Sequence, residues 1–332
     1  MGPPVGVDRI VSLRSALRGL IVHGVLALGL GLDAARAAGL DSTEFNGFDV
    51  SNASVPALAI QRGGPPKDGI PAIDRPKFAG ADLAQLTGDD RVLGVALGGR
   101  ARAYPVRILN WHEVVNDRFG DRTVVVTYCP LCGTGVAFES PAGAGAAGFG
   151  VSGLLYNSDV LIYDRATQSL WSQMLQAAIS GPLKGTRLQS VPLTHTSWAD
   201  WRQRYPATEV LSTETGFVRD YSRDPYAGYD KVQRLMFEVQ RRDERLPPKE
   251  WVLGIEVEGT HKAYPFSALA RAVDGRGELL DSVAGRRLRI RYDRTHGTAA
   301  AFDMQGHPWT GTMAFWFAWV AFHPRTEVLR SR

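Results

Sequence analysis

One part of this chain is written twice. Residues 92–109 and 252–269 agree at 8 of 18 positions, including Gly94/Gly254, Gly99/Gly259 and the pairs Tyr104-Pro105 and Tyr264-Pro265. Residues 128–138 and 292–302, set four residues further apart, agree at 5 of 11. Each copy reads as a β-hairpin turning at Gly98-Gly99 or Glu258-Gly259, a helix start after Tyr-Pro, and a second hairpin turning at Gly-Thr. The spacing predicts helices over 107–117 and 267–273. Such repetition predicts an α+β body of mostly antiparallel β structure, with two pseudo-repeated halves (hairpin, short helix, hairpin) and a helical or loop insertion between them. The expected boundaries are an extended arm at 38–85, a first half at 86–180, a connecting insertion at 181–250 and a second half at 251–332.

Inside the insertion, Trp198 and Trp201 lie three apart in 197–205, the spacing of a short helix with a buried aromatic face. Residues 216–245 are polar, charged and Tyr-rich, and read as a long excursion or lid. The prolines of 63–76 deny that stretch a helix, and the glycines and alanines of 142–148 read as a flexible loop.

The N-terminus reads as a targeting segment. Arg9, Arg14 and Arg18 precede the apolar stretch 20–32, and Ala35-Arg36-Ala37 places small residues at the positions a signal peptidase requires. A span needs about 20 apolar residues; this stretch is 13 residues long and contains His23. The expectation is a signal peptide at 1–37, cleavage after Ala37, and a periplasmic or extracellular mature chain without a membrane span. A net charge of +4 over 332 residues, with no basic run interleaved with aromatics, argues against a nucleic-acid surface.

Cys129 and Cys132 are the only cysteines, in Tyr128-Cys129-Pro130-Leu131-Cys132-Gly133 after the β-branched run 123–127. Three readings are open: a metal knuckle, a thiol-disulfide oxidoreductase pair, and an inert clip. As a knuckle the pair supplies two thiolates, and further ligands must be His or carboxylate. His112, in the segment preceding the Cys strand, is the first candidate as ligand or proton-transfer group, and His323 is the reserve. Asp293 and His296 occupy the positions of Cys129 and Cys132 in the second copy. Soft thiolates with imidazole suit copper, zinc or iron better than magnesium or calcium. Gly133, where a haem-attachment motif has His, argues against haem.

As a redox pair, Cys129 attacks and Cys132 resolves, acting on a small molecule or a protein thiol. A non-catalytic metal carrier is a further alternative. A polar cluster at Tyr156, Asn157 and Asp159, with Trp171 and Gln173, is the candidate substrate pocket, although Asn157-Ser158-Asp159 equally suits a turn. Neither a Gly-x-Ser-x-Gly elbow nor a Walker loop occurs.

Together, 68–74, Tyr104-Pro105 with 109–113, 127–133, 153–159, 170–173, 245–249 and 316–324 resemble the exported bacterial family catalogued as domain of unknown function 3179, over roughly 68–326. The resemblance implies that His112, Cys129, Cys132, Trp171 and His323 belong to the family pattern and that Asp293 and His296 do not. It implies no substrate. It favours a site built from His112, the two cysteines and His323.

Overall fold

The structure, a computed structural model, describes residues 45–141 and 147–330. The expected signal segment at 1–37 and most of the loop expected at 142–148 lie outside the described residues.

Strands make up 40% of the described residues against 13% helix, and they form five sheets arranged as the blades of a five-bladed β-propeller. In hydrogen-bonded order, blade 1 contains Thr194–Ser197, Arg91–Leu97, Arg100–Pro105, Glu209–Leu211 and Phe78–Gly80. Blade 2 contains Gln189–Val191, Thr134–Glu139, Arg122–Cys129 and Val114–Phe119. Blade 3 contains Ile60–Arg62, Phe149–Tyr156, Asp159–Asp164, Leu170–Ser172 and Ala177–Ser180. Blade 4 contains Gly311–Phe315, Trp251–Val257, Thr260–Pro265 and Glu327–Val328. Blade 5 contains Glu278–Val283, Arg286–Asp293, Thr298–Phe302 and Pro308–Trp309.

This architecture corrects the expected α+β body of two hairpin halves. The two hairpins of each copy lie in different blades. The stretch read as a helical or loop insertion supplies one edge strand each to blades 1 and 2 and a further strand to blade 1, and the residues after the 142–148 loop form blade 3 together with Ile60–Arg62. Alternating patterns report strands but not which sheet a strand joins, because pairing partners are far apart in sequence.

Four seven-residue helices connect these strands: α1 (Val106–His112), α2 (Trp198–Arg204), α3 (Phe266–Ala272) and α4 (Trp316–Phe322). Pro105 and Pro265 cap α1 and α3 with φ −61° and −60°, the values the proline ring imposes. The helix expected at 107–117 stops at His112 because Glu113 turns left-handed, φ +58°, and the β-branched Val114 and Val115 enter a strand.

Blades 1 and 2 share an element order with blades 4 and 5. Thr194 faces Gly94 as Thr312 faces Gly254, and Glu209 pairs in parallel with Arg102 as Glu327 does with Lys262. Trp201 donates its indole N–H to Thr208 at 2.9 Å, and Trp319 donates to Thr326 at 3.0 Å. Each indole lies flat on a glycine: a Cβ on Gly94 would sit 2.3 Å from Trp201, and one on Gly254 would sit 2.2 Å from Trp319. Only glycine permits that approach.

Candidate metal centre

The strand Arg122–Cys129 runs hydrophobic into the interior and delivers Cys129 at its end, where Cys129 pairs with Thr134 across the turn. Gly133 closes the turn at φ +65°, and a Cβ there would lie 2.6 Å from the Trp251 ring. The turn therefore needs glycine for its backbone and for its packing. Both sulfurs are buried and free.

Blade 3 brings a second turn against them. Asn157 and Ser158, with φ +50° and +66°, make the tight connection that sets Tyr156 opposite Asp159. Cys132 donates its thiol hydrogen to the Ser158 carbonyl at 3.3 Å, with the Cys129 sulfur at 3.7 Å from the same oxygen. One donor atom each from Cys129, Cys132 and Asp159 lies within 4.8 Å of the other two. Asp159 Oδ2 accepts the Met174 N–H at 3.0 Å, whereas Oδ1 is buried without a partner. Ser158 Oγ, Gln173 Oε1 and Tyr229 OH are likewise buried and unpartnered. Such atoms are costly to leave without a partner.

The electrostatics follow from burial. Desolvation pushes the Asp159 carboxyl up to about 7, against the hydrogen bond from the Met174 N–H. It pushes Glu113 up to about 8, reinforced by the charge of Asp159. Burial also raises both thiols, Cys132 the further, and the two carboxylates add to the shift of Cys129. Lys249 is only 7% exposed. Its ammonium donates to the Tyr229 carbonyl at 2.9 Å and sits 3.1 Å from the Tyr229 ring centroid. Desolvation lowers it to about 8, while the charge of Asp230 holds it up.

Segment 216–245, expected as a lid, covers this group with little regular structure. Tyr229 is buried in the cluster that holds Cys129 and Cys132, and Tyr226, Leu235, Phe237 and Val239 pack against it. The residues that sequence reasoning placed in a pocket or at the metal fasten the segment down. His112 meets Tyr221 OH through Nε2 at 2.7 Å and Pro71 O through Nδ1 at 2.8 Å. A carbonyl only accepts, so Nδ1 carries the hydrogen and the neutral Nε2 accepts from the tyrosine. Burial lowers the His112 pKa, which favours that neutral form. Neighbouring Asn110 donates to Asp224 at 2.9 Å. At the far end, Asn157 Oδ1 accepts the Gln240 N–H at 2.8 Å, and Tyr156 OH donates to Gln240 Oε1 at 2.7 Å.

Trp171 is core: its indole N–H reaches Asp164 at 3.0 Å and its ring meets Phe149 edge-on. Gln173 lies beside the Cys hairpin and donates to Thr127 Oγ1 at 2.8 Å. His323 stacks on His261 and packs at a tilt against Trp319, and it stands with His112 outside the donor group around the sulfurs. Asp293 and His296 gather with Asp200 instead. There Asp200 already pairs with Arg204 at 2.8 Å, and His296 Nδ1 bonds Ser197 Oγ at 2.7 Å. Asp159, expected in a substrate pocket, is the carboxylate that the structure sets beside the two sulfurs. Lys249 carried no local signal beyond its place after Pro247-Pro248.

Fold and site together define a β-propeller with a buried dithiol–carboxylate group under a strap. The DUF3179 family, described as a protein of unknown function, matches residues 67–326, and the chain belongs to it. No curated protein and no solved structure gives a match. Among the described residues, no helix is long and apolar enough to cross a membrane.

Proposed function

We propose that this protein binds one thiophilic transition-metal ion, copper, zinc or iron, through Cys129, Cys132 and Asp159, and uses it on a small molecule. The buried, unpartnered Oδ1 of Asp159 beside two free thiols carries the reading. Three protein ligands leave a coordination position open, the arrangement of catalytic rather than structural sites. When bound, such an ion supplies Lewis acidity or an electron relay. Two thiolates and a carboxylate against a divalent ion leave one negative charge, and Lys249 offsets it. Glu113, pushed up to about 8 and feeling the charge of Asp159, would be the proton donor or acceptor for that chemistry.

The rival dithiol reading has two adjacent free thiols in its favour. Against it, burial keeps both thiols protonated, and segment 216–245 denies a protein thiol access. The basic–apolar–small pattern of 1–37 supports placing this chemistry outside the cytoplasm.

Protein isolated from its native compartment should hold about one equivalent of metal per chain with two titratable thiols after chelation. Cys132→Ser should abolish the metal, and Asp159→Asn should lower its affinity at least about tenfold. A metal-free chain with Cys129 and Cys132 joined as a disulfide would overturn the proposal.

A further inference from the structure

The duplicated blades provide an internal comparison that singles out a second site. In the first copy, Ala96, Ala101 and Tyr205 surround the Gly94–Trp201 contact, and Tyr205 packs on Trp201 with ring centroids 4.3 Å apart. In the second copy the same positions hold Glu256, His261 and His323 around Gly254 and Trp319. His323 lies 4.1 Å from Trp319 and 4.0 Å from His261, and Glu256 is 3.5 Å from His261 Nε2. The first copy shows that alanine and tyrosine satisfy this packing. A carboxylate and two imidazoles in their place add hydrogen-bonding capacity that the fold does not need.

These three residues line a cavity of about 740 Å³, within the range of small-molecule sites. Arg187 and Arg286 enter it from separate elements, together with Trp309. Arg286 lies over the Trp309 ring at 5.1 Å, and neither arginine forms an ion pair among the described residues. Burial and the neighbouring His261 push His323 down to about 3, so it is neutral and presents one acceptor nitrogen. Stacked rings point their nitrogens side by side rather than at a common centre, which makes the imidazole pair a poor chelate and a good hydrogen-bonding wall. The wall therefore offers guanidinium forks for an anion, and imidazole and carboxylate acceptors for its hydroxyl or amino groups.

We propose that this cavity binds a small organic acid bearing hydroxyl or amino groups, with its carboxylate held by Arg187 and Arg286 and its donors facing Glu256 and His323. The site is separate from the sulfur centre and does not depend on a metal there.

Calorimetric titration of the full chain with tartrate and with glutamate, and with mannitol as the uncharged control, tests it. At least one acid should bind and mannitol should not. The paired substitution Arg187→Gln and Arg286→Gln should weaken binding at least about tenfold, the loss expected of a charge-assisted fork. A melting curve on that variant confirms folding, and Cys129→Ser with Cys132→Ser should leave acid binding intact while removing the metal. The proposal is overturned if neither acid binds, if mannitol binds as well as the acids, or if the folded arginine variant binds like the parent chain.

Discussion

Residue by residue, the chemistry of this chain is concentrated where burial opposes charge. His323 illustrates the cost. Its folded pKa, pushed down to about 3, lies below the ordinary imidazole value of 6.5. The folded state therefore binds fewer protons than the unfolded chain. The neutral ring carries no penalty above about pH 6.5, and stability is lost progressively as pH falls below that toward the folded value. The sister position, Tyr205, does the same packing without titrating there. His323→Tyr should accordingly reduce the stability lost between pH 7 and pH 5 by about 2 kcal/mol, read from urea midpoints at the two pH values. An unchanged difference would show that His323 is protonated in the folded protein. Asp159 and Glu113 act with opposite sign, since their folded pKa values are raised, so the comparison must be between variant and parent. At this scale the sequence was legible for the cysteines, whose turn is local. The nearness of Asp159 was not, because it reaches the sulfurs only through the pairing of a different blade.

At the scale of elements, segment 216–245 is the clearest case of structure without secondary structure. Apart from the 3-10 turn Tyr229–Lys231 it has no helix or strand, and it is held by side-chain bonds at its two ends and an apolar stripe between. Local openings with few buried contacts are low in free energy. Tyr221→Phe removes the hydroxyl that bridges His112 and Thr215. It should cost about 1–2 kcal/mol locally. In the metal-free protein, labelling of Cys129 and Cys132 by a thiol reagent should then accelerate, with little change in the global melt. Labelling that accelerates only in step with global unfolding would show that the segment is not an independent cover. The sequence exposed this lid through its polar, Tyr-rich composition, but not its fastenings. His112, Tyr156 and Asn157 read as site residues, and only the structure shows that their polar atoms bond this segment, since the partners are far away in sequence. One signal was available: Trp198, Trp201, Pro206, Thr208 and Glu209 recur as Trp316, Trp319, Pro324, Thr326 and Glu327. That recurrence marks the returning strand–helix–strand of blades 1 and 4.

For the whole molecule, the sulfur centre lies where blade 2 meets blade 3, with Lys249 just ahead of blade 4. An ion held by ligands from two blades stabilises the assembly of both, by an amount set by its concentration over its dissociation constant. Chelation of metal-loaded protein should therefore lower the melting temperature of the single main transition, and Asp159→Asn should largely lose that response. A chelator shift as large in Asp159→Asn as in the parent would assign the metal to other ligands.

What the sequence determined by itself was short-range: hairpins at Gly98-Gly99 and Glu258-Gly259, helices that start after Tyr-Pro, a Cys-Pro-x-Cys turn leaving a hydrophobic strand, and the self-similarity of two stretches. Each rests on backbone preferences and side-chain periods that act over a few residues. Tertiary structure alone decided that the strands form five blades, that Asp159 rather than His112 joins the sulfurs, that Lys249 is buried beside them, and that His323 faces a cavity of its own. These are matters of which strand edges pair and which buried groups find partners. They depend on contacts between distant parts of the chain, which no local pattern encodes.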